Sequence, residues 1–351
     1  MTIMTLALLI ITSLMVSCEK EIPFNGEQTD PRLVINSIVE PGQQVSAYIS
    51  KSYFFLDINE DTQAPDDLVA MLYVNGNRIG QMTPSVDTVW DYNTYEYDEE
   101  GNPYHPYRLA TVFINDYRPQ EGDIVKITAS ANGFEDVEGA TSALPKVLNS
   151  QMEVEVTQWN SGYIYHLNHD TQEYETDSSV LDIGGYLNLT FTVTDPNPGK
   201  TDYFRLITSK NSSITAGDNR RYISFDYEDP IFEVGMTEND FFDASDLDTR
   251  PEGVFTDKLF DGSSYRLKVE VWFHCELAED FDPDFFRVPF MVEHLSKEYY
   301  NYLNTCDQGD EALQIYAEPI HTFSNVTNGY GIVGGRAVDS LWVDLPLSQP
   351  E

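Results

Sequence analysis

Hydrophobic and polar positions alternate along most of this chain with the two-residue period of β-strands. Leu33–Val39 is a short apolar run, closed by the turn residues Glu40-Pro41-Gly42. Residues 45–50 alternate and predict a second strand. An acidic loop follows over 57–67. Residues 68–74 and 78–82 flank Asn75-Gly76-Asn77, which is hairpin chemistry. Two longer strands, near 88–97 and 107–114, are expected to pair around 98–106. Gly122-Asp123 opens a strand over 124–131, and 133–143 closes the unit. About seven short strands in this stretch predict an immunoglobulin-like or transthyretin-like sandwich.

Pro145 marks the expected boundary. Beyond it, 152–157 begins a second β region and 186–193 alternates clearly. Asp195-Pro196-Asn197-Pro198-Gly199 is a tight turn, and Tyr203–Thr208 returns from it. Residues 264–275 form the clearest strand, with Leu267, Val269, Val271, Phe273 and Cys275 on one face. One helix is expected, near 296–305. Ser296 is a suitable N-cap, and Glu298 lies in the first turn, where the helix dipole favours an acid. Residues 331–343 give a final β element. The fold class is therefore mainly all-β, with two sandwich-like domains at 31–145 and 146–351, the second carrying the short helix.

The first 17 residues break this pattern. Ile3 to Val16 is almost wholly apolar, too short for a spanning helix and suited to the core of a secretory signal. Met15-Val16-Ser17-Cys18 resembles the lipobox of bacterial lipoproteins, with Met15 where leucine is usual. The resemblance implies acylation of Cys18 as the mature N-terminus. Polar residues 18–30 then read as a tether, and attached acyl chains would hold the body at a membrane surface.

Charge and composition narrow the functional classes. There are 59 acidic against 20 basic residues, a net charge of −39. No basic footprint for nucleic acid is visible. Solubility explains such a charge, and cation binding is the functional alternative. The 22 Tyr, 19 Phe and 4 Trp suit strands. Besides Cys18, the chain has Cys275 and Cys306, both at positions that read as inward. A disulfide between them and two separate buried thiols explain the pattern equally well.

Catalytic motifs are sparse. Gly329-Tyr330-Gly331-Ile332-Val333-Gly334 matches the dinucleotide fingerprint in letters, but it follows a turn and leads into extended chain, so close backbone approach is the better reading. His166, His169 and Asp170 lack a further nitrogen or sulfur ligand nearby. Asp57-Ile58-Asn59-Glu60-Asp61 starts like an EF-hand loop, yet Thr62 and Leu68 stand at its glycine and glutamate positions. The acid-dense stretch 238–248 is a candidate for structural calcium. No catalytic residue is assigned, and no cofactor beyond that calcium is expected.

Aromatic residues are the most suggestive surface feature. Trp90, Tyr92, Tyr95, Tyr97, Tyr104 and Tyr107 crowd one hairpin. Trp159, Tyr163, Tyr165 and Tyr174 mark a second region, read as loop. They serve either as rigid ligand-facing contacts or as cross-strand pairs that stabilise long hairpins.

A family resemblance rests on longer stretches. These are Phe290-Met291-Val292-Glu293-His294-Leu295-Ser296-Lys297-Glu298-Tyr299-Tyr300-Asn301-Tyr302-Leu303, then Ala317-Glu318-Pro319, Phe323-Ser324-Asn325-Val326 and Asn328 to Gly335. With Leu33-Val34-Ile35-Asn36 and 45–52, they resemble the Bacteroidetes lipoprotein family known as domain of unknown function 4249 (DUF4249). The resemblance implies an outer-membrane lipoprotein encoded beside a TonB-dependent receptor. Glu19 and Glu21 are similar to that phylum's surface-export signal, and Asp87-Thr88-Val89 and Asp339-Ser340-Leu341 to its O-glycosylation sites. The leading expectation is a non-enzymatic, cell-surface accessory to a TonB-dependent transporter in ligand or nutrient capture. The alternatives are a structural or assembly component of the outer-membrane surface, and a surface hydrolase with unrecognised carboxylates.

Overall fold

In the computed structural model the alternating runs become strands, and their inward positions build two cores. The structure describes residues 30–52, 63–90, 96–97, 103–104, 106–168, 173–208, 213–216, 219–227, 229–233, 253–277, 287–306 and 322–346. The described strands of the first part are β1 (Leu33–Val39), β2 (Val45–Lys51), β3 (Val69–Val74), β4 (Asn77–Trp90), β5 (Glu96–Tyr97), β6 (Pro103–Tyr104), β7 (Tyr107–Asn115), β8 (Ile124–Ser130) and β9 (Val137–Ala143). Then follow β10 (Gln151–Asn168), β11 (Glu173–Thr194), β12 (Tyr203–Thr208), β13 (Ser213–Ala216), β14 (Asn219–Asp226), β15 (Val254–Thr256), β16 (Ser264–Leu277) and β17 (Arg287–Leu295). Helix α1 (Lys297–Cys306) precedes β18 (Val326–Thr327) and β19 (Tyr330–Asp344).

Two long strands pass from one sheet to another. Asn77–Met82 of β4 pairs with β3, and Thr83–Trp90 of the same strand pairs with β7. The first core lies between the segments so linked. Leu33, Ile35, Val45, Ala47 and Phe113 meet Ala70, Leu72, Val125, Ile127 and Val137 across it. The expected strands 78–82 and 88–97 are thus largely one strand, which accommodates Pro84 opposite Phe113 where β4 changes partner.

The last strand does the same on a larger scale. The first residues of β19 pair in parallel with β1, from Val34↔Tyr330 to Val39↔Gly335. The remainder pairs antiparallel with β17, from Leu295↔Arg336 to Arg287↔Asp344. Val326 and Val333 sit in the first core, while Val343 sits in the second. A contiguous division at 145/146 therefore does not describe the pairing, since β18 and half of β19 complete the N-terminal sandwich.

The second sandwich packs the sheet β10-β11-β16-β14-β13 against β15, β12, β17 and the end of β19. Alternation on β11 and β16 sends Leu187, Leu189, Phe191, Leu267, Val269, Val271 and Phe273 inward. Phe204, Phe255 and Phe290 meet them from the other layer. Phe191, Phe204, Phe255, Phe273 and Phe290 are fully buried, and each such chain contributes roughly 1.5–3 kcal/mol.

Helix α1 begins where expected. The Tyr299 amide donates to Ser296 Oγ at 3.3 Å, and the Gly335 amide donates to the same hydroxyl at 3.0 Å, so the cap also ties the helix to β19. Leu295, Tyr299 and Leu303 form a third, small core with Ile38 and Tyr203 beside it. Among the described residues no helix is long and apolar enough to cross a membrane.

The glycine-rich run is structural. At Gly329 a Cβ would lie 2.4 Å from the Leu33 carbonyl oxygen. At Gly331, where φ is +103°, it would lie 2.2 Å from that of Ile35. These glycines let β19 enter beside β1.

Candidate ligand-binding face

The inward positions of β16 leave its alternate residues on the outer face of the five-stranded sheet. Trp272 and His274 project there, paired with Tyr186 and Gly184 of β11. On the other side Ser224 and Tyr222 of β14 complete the rows. The rings of Tyr222 and His274 stack at 5.7 Å, and those of His274 and Trp272 at 5.9 Å. Trp272 and Tyr186 keep 38% and 36% of their surface exposed, and in register they form one apolar strip on the open sheet face.

Polar groups frame this row. His274 Nε2 and Asp182 Oδ1 are 2.7 Å apart, which orients the imidazole within the stack. Gln158 and Asn160 lie across from Tyr186 and Gly184, on β10. Together with Glu276 these residues line a shallow groove of about 940 Å³. Gly184 keeps its floor low: a Cβ there would stand 3.2 Å from Asn160 Oδ1 and 3.7 Å from His274 Cδ2. Flat rings flanked by amides and carboxylates can stack on a planar or ring-shaped ligand and bond its hydroxyls.

The sequence-predicted aromatics fare differently. Trp159 also borders the groove, but its indole N–H donates to the Pro346 carbonyl at 3.1 Å and it packs on the second core. It anchors the edge strand rather than facing ligand. Tyr163 lines the groove and is 48% exposed. Tyr165 continues β10 opposite Thr176, so this region is a long hairpin and not a loop. His166 belongs to the same strand; His169, Asp170, the failed EF-hand match at 57–61 and the calcium candidate 238–248 lie outside the described residues.

In the first hairpin, Tyr107 pairs with Trp90 and is 59% exposed. Tyr97 and Tyr104 belong to the short pair β5–β6. Tyr92 and Tyr95 lie outside the described residues, as does Cys18. The hydroxyl-bearing residues Thr88 and Ser340 are both exposed. Cys275 carries a free, buried thiol, and burial pushes it up to about 12, with Arg221 opposing. The side chain of Cys306, the other member of the expected pair, lies outside the described residues.

Sequence reasoning passed over Trp272, His274, Tyr186 and Tyr222. The signal was the same alternation that placed Leu267 to Cys275 inward, since it leaves the even-numbered neighbours on the opposite face.

A family model described as "Domain of unknown function (DUF4249)" matches residues 19–341. A search of the curated proteins gives no match. Among solved structures, the chain is similar to the crystal structure of collagen adhesin (CNA) from S. aureus. The identity is 9%, over 90% of this chain and 94% of that one, with a TM-score of 0.16, too low for a shared fold.

Proposed function

The chain belongs to the DUF4249 family, and from that premise we propose that it is a non-enzymatic, lipid-anchored protein of the outer-membrane surface. It captures a ligand on the outer face of β10, β11 and β16 and delivers it to a TonB-dependent transporter. The observation that carries the capture step is the row Tyr222–His274–Trp272 beside exposed Tyr186. The ligand class that suits it is a neutral, hydroxylated ring such as a sugar. Its apolar ring face stacks on indole and phenol, and its hydroxyls meet Asn160, Gln158 and Asp182. A net charge of −39 disfavours polyanionic ligands.

The test uses the full-length chain in detergent on a glycan array, followed by calorimetry on the hits. Trp272→Ala and Tyr186→Ala are expected to weaken binding tenfold or more each, because each removes a stacking surface of about 1.5 kcal/mol. Tyr107→Ala, on the other sandwich, leaves affinity unchanged. Binding that survives both substitutions, or no hit at all, overturns the capture reading. Turnover of a bound glycan would overturn its non-enzymatic part. Co-purification with the neighbouring transporter, lost when Cys18 is replaced by serine, tests the anchored partnership.

A further inference from the structure

At one end of the second sandwich, two loops bring three carboxylates together. Asp195 opens the turn after β11. Asp257 starts the 3-10 turn Asp257–Leu259 that follows β15, and Asp261 lies just beyond it. A carboxylate oxygen from each lies within 4.8 Å of the others. The loops brace one another. The Gly262 amide donates to Asp195 Oδ2 and the Gly199 amide to Asp261 Oδ1, both at 2.6 Å. Asp195 Oδ1 accepts from the Asn197 amide at 2.7 Å.

Asp257 sets this cluster apart from the many surface acids of so acidic a chain. Its residue is 2% exposed, yet its Oδ2 has no hydrogen-bond partner. A buried ionisable oxygen without a partner is destabilising, the more so when it is charged. Among the described residues, no ion pair reaches Asp195, Asp257 or Asp261. Lys146, whose ammonium reaches this loop, donates to the Pro196 carbonyl at 2.7 Å instead.

We propose that Asp195, Asp257 and Asp261 form a calcium site that locks the turn after β11 to the loop leading into β16. The donors are all oxygen, which selects hard cations over zinc or copper. Ca²⁺ accepts irregular carboxylate geometry, whereas Mg²⁺ demands a near-ideal octahedron and keeps several of its waters. One divalent cation would give Asp257 Oδ2 a partner and offset the mutual repulsion of the three carboxylates. The site is independent of the ligand-binding face, and it is distinct from the acid-rich stretch 238–248.

The experiment is thermal unfolding of the full-length chain, stripped with EDTA and exchanged into chelator-free buffer. Ca²⁺ is expected to raise Tm by several degrees with one-site saturation at about 10⁻⁵–10⁻³ M. Mg²⁺, and NaCl at matched ionic strength, should give only the small screening shift common to any acidic protein. Asp261→Asn, at an exposed position, should weaken the Ca²⁺ response at least tenfold. Asp257→Asn should abolish it, and should Asp257→Asn fail to fold, Asp261→Asn decides alone. Asp66→Asn, an exposed acid on the first sandwich, should leave the response intact. No saturable shift up to about 10 mM Ca²⁺, an equal shift with Mg²⁺, or an undiminished shift in Asp261→Asn overturns the site.

Discussion

Glu293 sits on β17 with none of its side chain exposed, and Arg336 Nη1 donates to its Oε1 at 2.8 Å. Arg336 also reaches Glu40 at 2.7 Å, so one guanidinium joins the turn after β1 to the second sandwich. Burial is the largest influence on Glu293 and raises its carboxyl above the ordinary 4.5, while Arg336 only partly opposes it. The folded protein therefore holds this proton to higher pH than the unfolded chain does. The contribution is complete below the ordinary glutamate range and is lost as pH rises through the folded value. Wild type should lose stability over that window relative to Glu293→Gln, by about 1.4 kcal/mol for each pH unit that the folded value lies above the unfolded one. Urea midpoints for both proteins from pH 4 to 8 check this, and parallel profiles contradict it. Neither partner's burial was legible. Alternation predicts one covered face for β17, but its last residues are covered on both, by the second core and by α1. Trp272 and His274 were legible in principle, since period-two patterning assigns outward positions as firmly as inward ones.

At the scale of elements, the strands bounded by turn chemistry were the easiest to read. Leu33–Val39 and Tyr203–Thr208 match their expected limits; Pro31 and Glu40-Pro41-Gly42 bound the first, and Asp202 precedes the second. β10 and β11 extend far beyond 152–157 and 186–193, because polar residues in a two-sided hairpin carry no alternation to follow. The parallel pairing of β19 with β1 was illegible for another reason: periodicity gives a face, not a partner. The glycines at that junction make it testable. Gly331→Ala forces a Cβ against the Ile35 carbonyl at a positive φ and should cost ~2 kcal/mol or more. Gly42→Ala also has a positive φ, but its Cβ would meet nothing within 4 Å, so it should cost nearer ~1 kcal/mol. Chemical denaturation of the two variants ranks them, and equal losses would mean that β19 can move away from β1.

The whole molecule turns on how β18 and β19 return to the first sandwich. Residues 30–145 hold β1 to β9 and look like a complete domain in sequence, with seven or so strands and a closing turn. Their core nevertheless includes Val326 and Val333, the latter fully buried. Gly139 of β9 leaves the space that Val333 fills: a Cβ there would lie 2.6 Å from Val333 Cγ2. Without the C-terminal strands, β1 keeps only β2 and becomes an edge strand, and β9 keeps only β8. Loss of the two valines alone removes roughly 3–6 kcal/mol of burial, comparable to the net stability of a domain of this size. A chain cut after residue 145 should therefore show no cooperative urea transition and should bind a hydrophobic dye. The full chain should unfold both sandwiches together, because β19 cannot leave one without disturbing the other. Near-ultraviolet circular dichroism and tryptophan fluorescence report both steps, since Trp90 lies on β4 of the first sandwich and Trp159 and Trp272 lie on the second. A sharp transition in the 30–145 chain, or two separated transitions in the full chain, would show that the two cores are independent and that β19 merely bridges them.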